Sequence, residues 1–311
     1  MSDARAPRRG PARVALVGAR AARGLDEDMA VLVAALQARG IRCEVVDWDD
    51  AGVRWADFDL TLLRSTWDYT ERLGEFRGWL RRGAGLTRLH NPEPLVEWNT
   101  DKHYLRDLAA LGLPVVPSAF IEPVGAVRPA IERFLAEHSC AELVVKPAVG
   151  AGSRGARRLG RAQLAEAHAH AASLTEAGRS VVLQPYLSGV DREGETALLF
   201  FDGRFSHAIR KGPLLRLNAD PTRALFAPEH IAVQTPAADE IAVAEDVLTA
   251  IRHSGRAPRA PLYARVDLLR DPAGAPRVLE LELAEPSLFL NYATGAAERF
   301  AASIAEALGA S

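Results

Sequence analysis

Residues 263–287 read YARVDLLRDPAGAPRVLELELAEPS. Residues two apart in a strand face the same side, so Glu280 and Glu282 project together from RVLELEL, residues 277–283. Pro272 to Pro276 predict a hairpin turn that carries Asp267 alongside them, leaving three carboxylates on one face. Like charges at short range raise one another's pKa, and a hard divalent cation with oxygen ligands relieves that cost. Mg²⁺ suits the pattern, since it takes few protein carboxylates and completes its shell with water and substrate phosphates. The same alternation with Leu279, Leu281 and Leu283 also describes a solvated edge strand. Arg265, on the face of Asp267, weighs towards the metal reading, because a cation beside a metal site serves phosphoryl chemistry.

Lysine use points the same way. Of 38 Lys and Arg residues only Lys102, Lys146 and Lys211 are lysine. Where arginine is the ordinary surface cation, a retained compact ammonium suits phosphate oxygens, although drift in a GC-rich gene would leave lysines anywhere. Lys146-Pro147 precedes GAGSRG, residues 150–155, whose backbone N–H groups can fold over phosphates through Gly150, Gly152 and Ser153. The loop also fits G-x-G-x-x-G, so an NAD(P)-dependent oxidoreductase is a competing reading. Against it, ARRLG at 156–160 reads as a strand where that motif requires a helix. GVDREGET, residues 189–196, falls short of a P-loop because Glu195 stands in the lysine position and would repel phosphates. A carboxylate there suits ribose hydroxyls instead.

The whole chain sets wider bounds. Its 311 residues allow two or three domains, and a net charge of −2 without a polybasic half argues against nucleic-acid and membrane partners. Two cysteines, Cys43 and Cys140, are too few for a disulfide scaffold, so a cytoplasmic location is expected. Residues 1–12 read as a disordered tail. Val14–Val17, a helix ending near Gly40, Ile41–Val46 and Leu60–Leu63 predict an α/β domain with a parallel sheet over 13–97. HNPEPLVEWNT, residues 90–100, reads as a linker, with Asn99 or Thr100 capping a helix whose first turn holds Lys102. A small mixed domain over 98–183 and a strand-rich domain over 184–311 follow. The eight histidines show no catalytic spacing.

In this order, the motifs of residues 98–291 resemble the ATP-grasp superfamily, as in glutathione synthetase and D-alanine:D-alanine ligase, with ARVDLL followed by LELELAEPS the most specific part. The resemblance implies a mixed α/β fold in which an N-terminal α/β domain joins two α+β domains that clamp ATP. It implies that Lys102 and Lys146 hold phosphates, that Gln184, Tyr186 and Leu187 contact adenine, and that Glu195 binds ribose in preference to Asp191 or Glu193. Asp267, Glu280 and Glu282 match the magnesium ligands, with glutamate where many members carry asparagine; two Mg²⁺ are implied, and Mn²⁺ as a substitute. Arg265 and, more loosely, Lys211 take catalytic positions facing the phosphates.

LLRSTWDY, residues 62–69, ends a strand with Arg64, Ser65 and Asp68, which could hold an amino-acid-like substrate or equally cap a turn before the helix at 71–82. Glu285 and Ser287 complete the substrate candidates. With FSHAIRKGPLL, residues 205–215, this segment is similar to the branch containing O-ureido-D-serine cyclo-ligase, the last step of D-cycloserine biosynthesis. The expected activity is ADP-forming ligation of a carboxylate to an amine through an acyl phosphate, between two small molecules or within one. A homodimer is also plausible for such ligases. A nucleotide-binding regulatory module without catalysis is the alternative from a different class.

Overall fold

The computed structural model describes residues 11–222 and 229–309. The chain begins with β1 (Arg13–Gly18), α1 (Asp28–Ala38), β2 (Arg42–Asp47), β3 (Leu60–Ser65), α2 (Leu73–Ala84), β4 (Leu89–His90) and α3 (Glu93–Asn99). All pairings are parallel, in the order β2-β1-β3-β4, as the apolar runs of β1 and β3 require when helices cover both faces. Gly40, at φ 72°, lets the chain leave α1, and the N–H of Ile41 returns to the Leu36 carbonyl at 3.1 Å. Trp48, Trp55, Tyr69, Phe76 and Trp79 form an aromatic core beneath α2.

Next come α4 (Tyr104–Ala110), whose core residues join those of the third sheet below, then β5 (Ala119–Ile121), α5 (Val127–His138), β6 (Glu142–Pro147), β7 (Arg157–Gly160), α6 (Leu164–Glu176) and β8 (Val181–Pro185), which make a second sheet with its helices. Its four strands run antiparallel in the order β5-β8-β6-β7, with α5 and α6 packed on one face. After the short α7 (Val190–Glu193) come β9 (Glu195–Phe201), β10 (Arg204–Lys211), β11 (Ile231–Gln234), α8 (Ala238–His253), β12 (Tyr263–Arg270), β13 (Pro276–Glu282) and α9 (Ala296–Gly309). The third sheet is antiparallel, ordered β11-β10-β9-β12-β13. Asp202 and Gly203, both at positive φ, make the tight turn of the β9–β10 hairpin, as that dipeptide predicts.

Three local expectations change. Residues 93–99 form α3 where a linker was expected, because Pro92 and Pro94 sit at the helix start, the one place a helix tolerates proline. Neither Asn99 nor Thr100 caps α4; His103 occupies that position, and Lys102 lies in the turn before the helix. Strand β8 continues through Gln184 and Pro185, beyond the boundary drawn at 183, because both residues pair with β6. Of the tail expected at 1–12, residues 1–10 lie outside the described residues.

Candidate active site

The hairpin of β12 and β13 sets Asp267 opposite Glu280 and Arg265 opposite Glu282, with a bulge that leaves Leu279 unpaired. All three carboxylates are thereby gathered, and each meets a cation. Asp267 accepts from Lys211 Nζ at 2.8 Å and from Arg265 Nε at 2.9 Å. Glu280 accepts from Lys146 Nζ at 2.7 Å and lies 3.7 Å from Lys102 Nζ. Arg265 also pairs with Glu282, and Lys211 with Glu195. The three lysines of the chain therefore stand in one cluster, although they come from the turn before α4, from β6 and from β10.

Burial and the neighbouring cations compete at each carboxylate. Burial would raise the Glu280 carboxyl, but Lys102 and Lys146 outweigh it and hold the group down to about 2. Asp267 is likewise held well below the carboxylate range, with Arg265 and Lys211 overcoming burial. Glu195 goes the other way: burial, reinforced by Asp267, pushes it up to about 8 despite Lys211. Burial raises Glu282 as well.

Two cavities meet at this cluster and share Lys102, Arg265, Glu280 and Glu282. The first, about 140 Å³, has apolar walls from Val144, Leu187, Val190, Leu269 and Leu279 and includes Gln184, Tyr186 and Glu195. The Tyr186 hydroxyl donates to Asp191 at 2.6 Å, and Arg158 lies 3.5 Å over its ring while pairing with Asp191. Asp191 is thus committed beside the cavity. Gly150, Gly152 and Ser153 line the same cavity, and Gly150 accepts from Lys102 Nζ at 2.9 Å. Gly152 and Ser153 take consecutive positive φ values of 58° and 59°, so the loop turns back over the cavity and enters β7 instead of opening a helix. That sets aside the dinucleotide motif, whose third glycine begins a helix.

The second cavity, about 210 Å³, has Trp67, Tyr69, Phe289 and Tyr292 on its walls and reaches Glu285 and Ser287. Burial, with Glu282 next in effect, pushes Glu285 up to about 8 against a hydrogen bond from Tyr69. Arg64, Ser65 and Asp68 do not line it, which changes the substrate assignment of LLRSTWDY. Arg64 is fully buried behind the wall, donating to the Pro286 carbonyl at 3.0 Å. Ser65 is buried at the end of β3, and Asp68 accepts from Trp48 Nε1 at 2.9 Å. Trp67 and Tyr69, in the same motif, face the cavity instead. Asn99, Tyr104, Phe289 and Tyr292 also line it and carried no signal of their own, because their neighbours across the cavity are distant in sequence.

The donor set suits a metal held partly by substrate. Among the described residues no group of three His, Cys, Asp or Glu is placed to hold a metal ion alone. Carboxylates on one face, backed by ammonium groups that can turn to phosphates, fit Mg²⁺ shared between protein and nucleotide oxygens.

A family model for the N-terminal domain of D-cycloserine synthetase DcsG matches residues 14–91. The cycloserine biosynthesis protein DcsG of Streptomyces lavendulae is 43% identical over 289 residues, covering 91% of this chain and 95% of that protein. The chain belongs to the DcsG family of ATP-grasp ligases. A crystal structure of D-cycloserine synthetase DcsG matches this ligase with a TM-score of 0.89 at 40% identity, over 95% of this chain and 99% of that one. The fold extends to D-alanine–D-alanine ligase from Bacillus anthracis, with a TM-score of 0.67 at 18% identity over 96% and 97% of the two chains. No described helix of this ligase is long and apolar enough to cross a membrane.

Proposed function

We propose that this ligase closes the ring of D-cycloserine, using ATP to activate the carboxylate of O-ureido-D-serine. One observation carries the reading: the segment matched by the D-cycloserine synthetase model, residues 14–91, supplies Leu25, Trp67 and Tyr69 to the wall of the second cavity. The part of the chain that marks the family thus shapes the space where a small substrate would meet the phosphate-binding cluster.

In this mechanism adenine lies between the apolar walls at Val144, Leu187, Leu269 and Leu279, with Gln184 and Tyr186 at its edge and Glu195 as the ribose acid. Lys102 and Lys146 turn from Glu280 to the phosphates, and Asp267, Glu280 and Glu282 would hold two Mg²⁺, for which Mn²⁺ would substitute. Bound there, the ions would neutralise charge on the transferred phosphoryl group. A substrate carboxylate oxygen attacks the γ-phosphorus and ADP leaves. The ureido nitrogen bonded to oxygen in the same molecule then attacks the acyl carbon, Arg265 steadies the oxyanion, and phosphate departs as the nitrogen loses its proton; water removes the carbamoyl group from that nitrogen, releasing it as CO2 and ammonia and leaving D-cycloserine. Lys211, with Arg265, keeps Asp267 ionised around this step. Glu285 and Ser287 border the substrate, and Arg64 braces their turn from behind. Pairing into a homodimer belongs to the same proposal.

The test is incubation with ATP, Mg²⁺ and O-ureido-D-serine, following nucleotide and ring product together. ADP, phosphate and D-cycloserine should rise in equal amounts. Formation of AMP and pyrophosphate, or ADP release only when two separate amino acids are supplied, would reject the proposal.

A further inference from the structure

Glu280 and Glu282 sit on β13, the edge strand of its sheet, immediately after the bulge at Leu279. A bulge weakens the ladder's hold on register, and a slip of one residue would turn both carboxylates to the opposite face. What fixes the outer edge of β13 is a row of side chains. Asn99 Nδ2 donates to the Leu281 carbonyl at 2.8 Å, while Asn99 Oδ1 accepts from the Leu283 N–H at 2.6 Å. One carboxamide therefore supplies the donor and acceptor that a neighbouring strand would supply. The Tyr104 hydroxyl accepts from the Leu281 N–H at 3.0 Å, and Asn91 Nδ2 donates to the Leu283 carbonyl at 2.8 Å. Before the bulge, backbone takes over: Val278 N–H donates to Pro114 O at 2.7 Å, and Val116 N–H to Val278 O at 2.9 Å.

Asn91, Asn99 and Tyr104 are all buried. A buried polar side chain is retained at a cost unless its bonds are made, and here they are made to the backbone flanking Glu282. We infer that Asn99 and Tyr104 are positioning residues, which act through the β13 backbone to aim Glu280 and Glu282 at the metal. The inference rests on the metal assignment proposed above. It gives the segment 91–104 a part in metal binding although none of its residues is a proposed ligand.

Electron paramagnetic resonance of Mn²⁺ with a non-hydrolysable ATP analogue and no carboxylate substrate separates positioning from substrate contact. Asn99→Leu should weaken Mn²⁺ binding about tenfold, the scale of losing a residue that orients a metal ligand. Tyr104→Phe should weaken it less, and metal-free analogue binding should be unchanged in both. Asn99→Asp, which keeps the acceptor and loses the donor, is the milder variant should Asn99→Leu fail to fold. Ile304→Val, in the core under α9, should lower melting temperature without touching Mn²⁺ affinity. Wild-type Mn²⁺ affinity in Tyr104→Phe and in the folded Asn99 variant, with melting temperature lowered, would make the row purely structural and overturn the inference. No Mn²⁺ binding by the wild-type protein with the analogue would instead remove the metal assignment itself.

Discussion

Lys102 and Lys146 converge on Glu280, one near each carboxylate oxygen, and each is buried enough that its ammonium meets few alternatives. A guanidinium is planar and larger, and cannot replace a rotatable point charge between Gly150 and a carboxylate. Lys102→Arg and Lys146→Arg should each lower kcat/KM by about 100-fold, the equivalent of one charged hydrogen bond, measured by coupled ADP release. Wild-type rates in either variant would return that lysine to chance survival. Glu285 offers a different test. Its carboxyl, ordinarily near 4.5, is pushed up to about 8 by burial and Glu282. A folded state that holds the proton more tightly is favoured below the ordinary value and loses that advantage as pH rises towards 8. Urea denaturation at several pH values from about 5 to about 9 should show stability falling across the window, with a shallower slope for Glu285→Gln. An unchanged slope would show that Glu285 does not titrate there.

At the scale of elements, the hairpin of β12 and β13 was readable because alternation fixes which side chains share a face, and because Asp271 to Gly274 has few conformations other than a turn. The segment 93–99 was not. Two prolines read as a linker, yet both fall at the helix start, and what commits the segment to α3 is packing: Leu95 and Val96 are fully buried, and Asn99 bonds to β13. The three misplaced substrate candidates failed for a related reason. A strand end gives the order Arg64, Ser65, Trp67, Asp68, Tyr69, but which of them reach the cavity depends on the short helical turn at Trp67–Thr70. Helix α2 depends on the aromatic core for its seat. Phe76 is fully buried and stacks at 5.6 Å on Trp79 and at 5.0 Å on Tyr69. Phe76→Ala should destabilise the protein by about 3–5 kcal/mol in equilibrium denaturation. A cost below about 1 kcal/mol would mean that the core collapses around the gap.

Across the whole molecule, one carboxylate ties the first domain to the last. Asp28, at the start of α1, accepts from the N–H groups of Leu288 at 2.6 Å, Phe289 at 3.0 Å and Leu290 at 2.6 Å, and lies 3.7 Å from Arg64. Phe289 belongs to the wall of the second cavity, so the N-terminal segment holds that wall directly. Asp28→Asn turns one acceptor oxygen into a donor facing backbone N–H groups, and should cost about 2 kcal/mol or more in calorimetric stability. A variant as stable as the wild type would mean that the wall is held by packing alone.

The amino-acid sequence by itself determined the mixed α/β class, the carboxylate hairpin, the Gly-rich loop behind Lys146 and the resemblance to ATP-grasp ligases. These are local patterns, in which strand alternation and turn chemistry are settled within a few residues. Tertiary structure alone decided that the three lysines share one cluster, that Arg64 braces a wall it does not line, and that Asn99 serves as a strand partner instead of a helix cap. Those roles depend on contacts between residues from 56 to 222 positions apart along the chain. No periodicity spans such distances; only burial, which brings the partners together away from water, selects them.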